Sequence, residues 1–158
     1  MSGEQIFEIQ SNKIEYNNII YLINEEKNTA DLVGCKPNID QISIPQSIKQ
    51  GSKEYDVINI LENALNKSKI KSVEFANDSK LQMIDKEAFK YSSITIIAIP
   101  SSVTIIGEGA FSFCYQLETV EFANDSKLQK IDKYAFSYST IKNIKIPSSV
   151  TLIGESAF

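Results

Sequence analysis

The sequence of 158 residues contains no arginine, no histidine and no tryptophan. Without histidine, the usual general base for a serine or cysteine nucleophile is missing, and so is the commonest metal ligand. The 16 basic residues, all lysines, are outnumbered by 20 acidic residues, and the resulting net charge of -4 repels a phosphate backbone. The composition therefore argues against an ordinary hydrolase triad and against a nucleic-acid partner, and we expect no metal and no cofactor.

Cysteines and long apolar runs are also scarce. The two cysteines, Cys35 and Cys114, lie far apart without a CxxC pair, so we expect two small buried residues and neither a zinc site nor a disulfide scaffold. No apolar run reaches membrane-spanning length, and residues 1–5 lack the basic and apolar segments of a secretory signal. With 42% apolar and 23% charged residues, the chain is expected to be a soluble folded protein.

Part of the sequence is duplicated at an offset of 47 residues. Residues 73–82 (VEFANDSKLQ) recur unchanged at 120–129, and residues 99–104 (IPSSVT) recur at 146–151. Such self-similarity is typical of repeat proteins, in which each unit contacts its neighbours along one axis.

A shorter unit lies within each duplicate, because the apolar triplet L-x-x-L-x-L occurs five times, with middle residues separated by 31, 24, 23 and 24 positions. This spacing lies in the leucine-rich-repeat range, where each unit contributes one short strand to a parallel stack and one turn or short helix to the return side. We therefore expect a right-handed leucine-rich-repeat solenoid, α/β or mainly β, with five rungs. The triplets are Ile39/Ile42/Ile44, Ile70/Val73/Phe75, Ile94/Ile97/Ile99, Leu117/Val120/Phe122 and Ile141/Ile144/Ile146.

The alternation of a strand predicts which residues point into the stack. The second and third apolar residues of each triplet should point inward, and the residues between and beside them outward. Asp85 and Asp132 are interpreted as N-caps of one-turn helices on the return side. A second apolar set should close the core there: Leu81, Ile84, Ala88 and Phe89, then Val103, Ile106, Ala110 and Phe111, then Leu128, Ile131, Ala135 and Phe136.

Residues 1–38 precede the first triplet and are assigned as an N-terminal β-hairpin cap. Residues 14–23 and 29–35 are predicted as its two strands, and the cap would cover the apolar face of the first rung. The first rung carries an insertion, residues 49–56, whose glycine and polar residues predict a hairpin or loop. The remaining residues, 39–158, are assigned as five leucine-rich repeats with the last incomplete, so self-association through the uncapped C-terminal repeat is a further expectation.

The repeat units resemble the BspA-like leucine-rich repeats over residues 39–158. In residues 94–117, Ile-Pro-x-Ser-Val, Ile-Gly, Ala-Phe, Cys and Leu stand in the order of that family, whereas Ser92 and Ser139 occupy positions where its pattern has Cys, and Leu65 replaces Phe. The resemblance implies a cell-surface or extracellular protein of the adhesion type. It also implies a protein ligand, such as an extracellular-matrix or cell-surface component, and brings no catalytic residues with it.

The outward positions of the predicted strands form the first candidate ligand surface. Ile96 and Ala98 make a small apolar centre between the acidic flanks Glu74 and Glu121. Such a surface suits a partner protein that carries lysine or arginine, although an ordinary solvated strand face has a similar composition. The candidate residues on this concave face are Ser43, Ser72, Glu74, Ile96, Ala98, Thr119, Glu121, Asn143 and Lys145.

A second candidate is the aromatic column Tyr91, Phe113 and Tyr138, each two residues after the Phe of an Ala-Phe pair. Aligned on successive rungs, the three rings would form either an exposed ladder, of a kind enriched at interfaces, or part of the core. We favour the core alternative.

Three functions are compatible with the sequence. The leading hypothesis is a macromolecule-binding repeat module, adhesive if displayed on a surface. The alternative is an intracellular, cytoplasmic scaffold for protein–protein interaction, supported by the missing signal and by cysteines that need not be oxidised. A remote alternative is a glycosidase using Glu74 and Glu121, whose backbones would lie two rungs and about 9.5 Å apart. Because no enclosed pocket is implied, we predict that the protein is not an enzyme.

Overall fold

The computed structural model describes residues 12–158. Within that range the chain forms thirteen β-strands and no helix. The strands are β1 (Lys13–Tyr16), β2 (Ile19–Asn24), β3 (Thr29–Cys35), β4 (Gln41–Ile44), β5 (Ser47–Gln50), β6 (Lys53–Ile60), β7 (Ser72–Phe75), β8 (Met83–Ile84), β9 (Ile96–Ile99), β10 (Ile105–Ile106), β11 (Thr119–Phe122), β12 (Lys130–Ile131) and β13 (Leu152–Ile153). The solenoid is therefore mainly β.

Four strands form a parallel sheet, called here the front sheet, in the order β4-β7-β9-β11. Equivalent residues of the apolar triplets are in register, since Ile42 pairs with Val73 and Ile97 pairs with Val120. These four side chains are buried, and the residues that follow them in each strand are exposed. The predicted alternation is thus confirmed at the middle residues of the first four triplets and at the residues after them. Of the third residues, Ile44 and Ile99 are buried, whereas Phe75 and Phe122 are only half-buried.

The fifth triplet departs from this pattern. Residues 141–146 form no strand, and Ile144 and Ile146 are only half-buried. The prediction of a fifth strand is therefore wrong. A rung of a solenoid gains its burial from neighbours on both sides, and these residues pack against the core on one side only. Self-association through this end stays a prediction.

The larger sheet, called the back sheet, closes the opposite side of each coil. Its strand order is β1-β2-β3-β6-β8-β10-β12-β13, with β5 paired to β6. Its short strands add one two-residue rung per coil, and Ile84, Ile106 and Ile131 lie side by side in parallel register. All three are fully buried, so the back sheet supplies the second wall of the core.

The N-terminal strands β1, β2 and β3 are antiparallel, and β3 then pairs in parallel with β6. The single strand predicted over residues 14–23 is wrong, because Asn17 and Asn18 adopt φ angles of 50° and 65° and break it into β1 and β2. A two-residue turn with both φ angles positive matches the twist of a hairpin. The second predicted strand is confirmed as β3. The assignment of residues 1–38 as a cap stays a prediction, and residues 1–11 lie outside the described range.

The insertion at residues 49–56 belongs to a β-hairpin. Strands β5 and β6 are antiparallel, with Gln50 opposite Lys53 across a two-residue turn. Gly51 adopts a φ of 62° in that turn, a conformation that glycine takes without steric cost. Strand β6 then continues into the back sheet, so the predicted hairpin is confirmed and is part of the architecture.

The third side of each coil, called the turn side, consists of consecutive turns at residues 61–68, 85–92, 107–114 and 132–139. In the second of these, the N–H groups of Ala88, Lys90 and Ser92 each donate to the carbonyl three residues earlier. Successive turns are also joined between rungs, where the Phe89 N–H donates to the Ala110 carbonyl at 2.8 Å. This side of the coil therefore consists of turns, hydrogen-bonded both within one rung and between rungs, and not of short helices.

Asp85 and Asp132 do not begin helices, so their interpretation as helix N-caps is wrong. Their Oδ1 atoms accept hydrogen bonds from the N–H groups of the next residues, Lys86 at 2.6 Å and Lys133 at 2.8 Å. The second residue after each aspartate, Glu87 or Tyr134, has a positive φ, which an α-helix cannot contain. Each carboxylate therefore stabilises a single turn and not the first turn of a helix.

The phenylalanines of the Ala-Phe pairs stack through the interior. The ring centroids of Phe89, Phe111, Phe136 and Phe158 follow one another at 5.0, 5.2 and 5.5 Å. The first three rings are buried, whereas Phe158 is 52% exposed. The whole second apolar set predicted for the return side is buried, which confirms its role in the core.

The two cysteines are free. Cys114 is fully buried and donates to the Phe89 carbonyl at 3.0 Å, while Cys35 is half-buried, so the expected burial is complete for Cys114 only. Burial raises the pKa of both thiols above the ordinary cysteine range. Both are therefore thiols and not reactive thiolates at neutral pH.

Candidate functional site

The first candidate surface lies on the front sheet. The strand register places Ser43 beside Glu74 and Ala98 beside Glu121. These four are outward residues of the predicted strands, and together with Lys145 they are called here the predicted row. All four side chains are exposed, and so is Ile96, with 44% of its surface accessible. Of the other predicted site residues, Ser72 and Thr119 are half-buried, and Asn143 and Lys145 are exposed but lie in the segment that forms no strand.

An open groove of about 670 Å³ runs across β7, β9 and β11 and the turns that follow them. Its lining combines the carboxylates of Glu74, Glu121 and Asp125 with apolar surface from residues such as Ala98 and Pro100. The structure thus brings the three central residues of the predicted row into one concavity. Asp125 was not singled out from the sequence, because its position depends on how the turn after β11 folds back beside the strand.

The two glutamates of the groove carry uncompensated charge. Among residues 12–158, none of the ion pairs includes Glu74 or Glu121, and no lysine is within 4.0 Å of either carboxylate. Glu74 accepts one neutral hydrogen bond, from Gln41 Nε2 to Oε1 at 3.1 Å. The front sheet therefore presents exposed apolar side chains between two carboxylates that have no cationic partner within the described chain.

The second candidate, the aromatic column, lies on the turn side. The Tyr91 and Phe113 rings stack at 4.8 Å with an interplanar angle of 16°, and the Phe113 and Tyr138 rings stack at 4.7 Å with an angle of 8°. Tyr91 is 41% exposed and Tyr138 is 69% exposed, with Phe113 half-buried between them. The core alternative is therefore wrong for both tyrosines, because the column lines the outside of the turns; its binding role stays a prediction.

The backbone of this column is strained. Tyr91, Phe113 and Tyr138 have φ angles of 59°, 57° and 58°, the left-handed region that costs a non-glycine residue about 1–2 kcal/mol. Each tyrosine makes one stacked contact with Phe113, and a stacked pair contributes about 0.5–1.5 kcal/mol. Stacking between the rings therefore offsets part of the backbone strain.

Sequence reasoning missed two neighbouring aromatic residues. Tyr115 packs edge-on against Phe113, with centroids 6.1 Å apart, and is 60% exposed. Tyr134 is also exposed and has a φ of 57°, but it makes no ring contact with the column among the described residues. Neither tyrosine recurs at the spacing of the repeat, so the sequence carried no periodic signal for them.

Over residues 12–158, no cluster of three or more Cys, Asp or Glu side chains has the arrangement needed to hold a metal ion. No helix in that part of the chain is long and apolar enough to cross a membrane.

These features define a class of protein, a repeat-containing β-solenoid with an exposed sheet face. A family model for the BspA type leucine rich repeat region matches residues 33–158 in six copies. The chain belongs to this family. The triplets give five units where the family model has six, and the division of the chain at residue 38 stays a prediction.

Three solved structures are similar. The chain is 25% identical to the pneumococcal vaccine antigen PcpA, with a TM-score of 0.75, and the match covers 92% of this chain and 47% of that one. A leucine-rich repeat protein from Bacteroides capillosus is 24% identical, with a TM-score of 0.56 and coverage of 90% and 87%. A leucine rich cell surface protein from Faecalibacterium prausnitzii is 23% identical, with a TM-score of 0.50 and coverage of 92% and 51%. The chain thus spans about half the length of the first and third relatives. No curated protein matches it significantly.

Proposed function

We propose that the chain is a protein-binding module that acts through the exposed face of the front sheet. The observation that carries this proposal is the groove in which Ala98 lies between the unpaired carboxylates of Glu74 and Glu121. Exposed apolar surface supplies the contact area of an interface, and charges at its edge select the partner and speed its approach. The partner class is a protein surface that bears lysine or arginine.

The binding test uses the purified 158-residue chain and two immobilised peptides, one alternating lysine with glycine and one alternating glutamate with glycine. We expect binding to the lysine peptide that weakens as salt is added. The variant Glu74→Gln/Glu121→Gln removes two exposed charge pairs, each contributing about 0.2–1 kcal/mol, so its affinity should fall about 2- to 30-fold. The matched control is Glu26→Gln, at an exposed glutamate in the turn between β2 and β3, and it is compared with the single variants Glu74→Gln and Glu121→Gln, which remove the same one charge.

The proposal fails if the double variant binds as tightly as the unaltered chain, or if Glu26→Gln weakens binding as much as the groove variants do. The first result would show that the groove carboxylates take no part. The second would show that binding follows net charge alone and needs no particular surface.

We further propose that this binding takes place at a cell surface and serves adhesion to host components or to other cells. Support comes from the family and from two relatives, one of them a vaccine antigen and the other a cell surface protein. Antibody labelling of intact cells and of permeabilised cells tests the location. Labelling only after permeabilisation would reject surface display and favour the intracellular scaffold.

A further inference from the structure

We propose that the aromatic column of Tyr91, Phe113 and Tyr138 is a second binding surface, specific for a proline-rich segment in the polyproline II conformation. The column lies on the turn side and not on the front sheet, so the inference does not rest on the function proposed above. Two observations carry it: how the rings are stacked and how far apart they are.

Stacking decides which part of each ring faces the solvent. Phe113 is covered on both faces, by Tyr91 at 4.8 Å and by Tyr138 at 4.7 Å, so the column presents ring edges along its length. The edge of an aromatic ring carries partial positive charge, because its negative charge lies on the faces. The phenolic hydroxyls of the exposed Tyr91 and Tyr138 add hydrogen-bond donors, and neither bonds another group within residues 12–158. The surface is therefore electropositive at short range.

A complementary partner offers many acceptors and few donors. A proline-rich segment meets this requirement, because proline has no backbone N–H group while its carbonyl oxygen remains. In the polyproline II helix these carbonyls make no internal hydrogen bonds and are free to accept from outside. A sugar stacking on the column would need open ring faces, and those of Phe113 are covered by its neighbours.

The spacing of the column also fits this conformation. A polyproline II helix rises about 3.1 Å per residue with three residues per turn, so its pitch is about 9.3 Å. Two centroid-to-centroid distances between successive rings, of 4.8 and 4.7 Å, separate Tyr91 from Tyr138. The rings of Tyr91 and Tyr138 are therefore spaced to meet carbonyls one turn, or three residues, apart. An extended β-strand repeats about every 6.6–6.8 Å and does not keep this register.

The backbone conformation of the column allows a substitution that keeps the turn. Lys67 stands at the equivalent position of the first turn with a φ of 57°, so the left-handed conformation belongs to the turn and does not require an aromatic side chain. Asparagine tolerates the left-handed region far better than tyrosine does. Replacement of Tyr91 and Tyr138 by asparagine should therefore preserve the fold, which allows binding and folding to be separated.

The test measures fluorescence anisotropy of a labelled peptide of about ten prolines, a length that spans about three turns of the helix. The labelled partner for comparison is a glycine-serine peptide of equal length. We expect the full chain to bind the proline peptide and not the glycine-serine peptide. The variant Tyr91→Asn/Tyr138→Asn should bind the proline peptide at least about tenfold more weakly, while a cooperative thermal unfolding transition shows that it is still folded.

Tyr134→Asn is the matched control, since Tyr134 is also an exposed tyrosine with a φ of 57° but lies outside the stack. It should leave the affinity for the proline peptide unchanged. The proposal is overturned if the proline peptide shows no binding at millimolar concentration, if Tyr134→Asn weakens binding as much as the column variant, or if the glycine-serine peptide binds equally well. Loss of the column with an unchanged affinity would also overturn it.

Discussion

Phe111 lies at the centre of the stacked phenylalanines inside the solenoid, and its replacement by alanine tests how the rungs are held together. Its ring is fully buried and stacks on Phe89 at 5.0 Å and on Phe136 at 5.2 Å. Replacing a buried phenylalanine by alanine removes its transfer free energy and leaves a cavity, at a combined cost of about 3–5 kcal/mol. Because its two neighbours belong to different rungs, Phe111→Ala weakens two rung interfaces, and we expect about 4–5 kcal/mol.

Urea unfolding followed by far-UV circular dichroism measures this loss. Phe158→Ala is the matched control, because Phe158 stacks on a single ring, at 5.5 Å, and is 52% exposed. With half of its surface buried, its replacement should cost only about 1–1.5 kcal/mol. We also expect Phe111→Ala to broaden the transition, since a weakened central interface allows the two halves of a repeat stack to unfold separately.

Two results would refute this reasoning. A loss below about 2 kcal/mol for Phe111→Ala would mean that the neighbouring rungs close the cavity and that the stack does not couple them. Equal losses of unfolding free energy for Phe111→Ala and Phe158→Ala would mean that a ring between two rungs stabilises the fold no more than a ring that contacts one rung.

Two further predictions concern the turn side. A Cβ atom at Gly107 would lie 2.8 Å from the carbonyl carbon of Asp85 and from the amide nitrogen of Lys86, so Gly107→Ala should cost about 1–3 kcal/mol and lower the Tm by about 2–12 °C; an unchanged Tm would contradict the tight fit between these rungs. The hydrogen bond from the Lys130 side chain holds the pKa of Asp132 below its usual range. The ionised Asp132 carboxylate therefore stabilises the fold above about pH 4, and this stability is lost as the pH falls through the lowered pKa. Asp132→Asn should therefore flatten the acid side of a plot of Tm against pH, and equal acid sensitivity of the two proteins would argue against this coupling.

The strands of the front sheet were predictable because their pattern follows from burial alone. Ile97 and Ile99 are buried because they are apolar, and Ala98 between them faces water. The same alternation is complete at Ile42 and Ile44, and in the other two strands the third residue, Phe75 or Phe122, is half-buried. Burial of Phe89 and Phe111 was also predictable, since each ends an Ala-Phe pair that recurs once in each successive unit. The recurring triplets also show which residues of successive rungs are equivalent, and this equivalence predicts the register between the strands.

The turn side was not predictable from local signals. Asp85 is a good N-cap in isolation, yet hydrogen bonds to the next rung, such as that from the Glu87 N–H to the Glu108 carbonyl at 2.9 Å, favour a chain of turns over a helix. Those bonds exist only when a neighbouring coil is present, so no single segment contains the information. The exposure of Tyr91 and Tyr138 follows from the same turns, because a left-handed residue directs its side chain differently from a helical one.

The sequence by itself determined that this chain is a solenoid of leucine-rich repeats, which apolar residues form its core, and which strand residues face outward, because each of these follows from the period of hydrophobic burial. Tertiary structure alone decided the rest: that turns replace helices, that Asp125 joins Glu74 and Glu121 around one groove, and that the aromatic column lies outside the core. The physical reason is that these features depend on hydrogen bonds and stacking between successive coils, which a sequence pattern read one unit at a time does not contain.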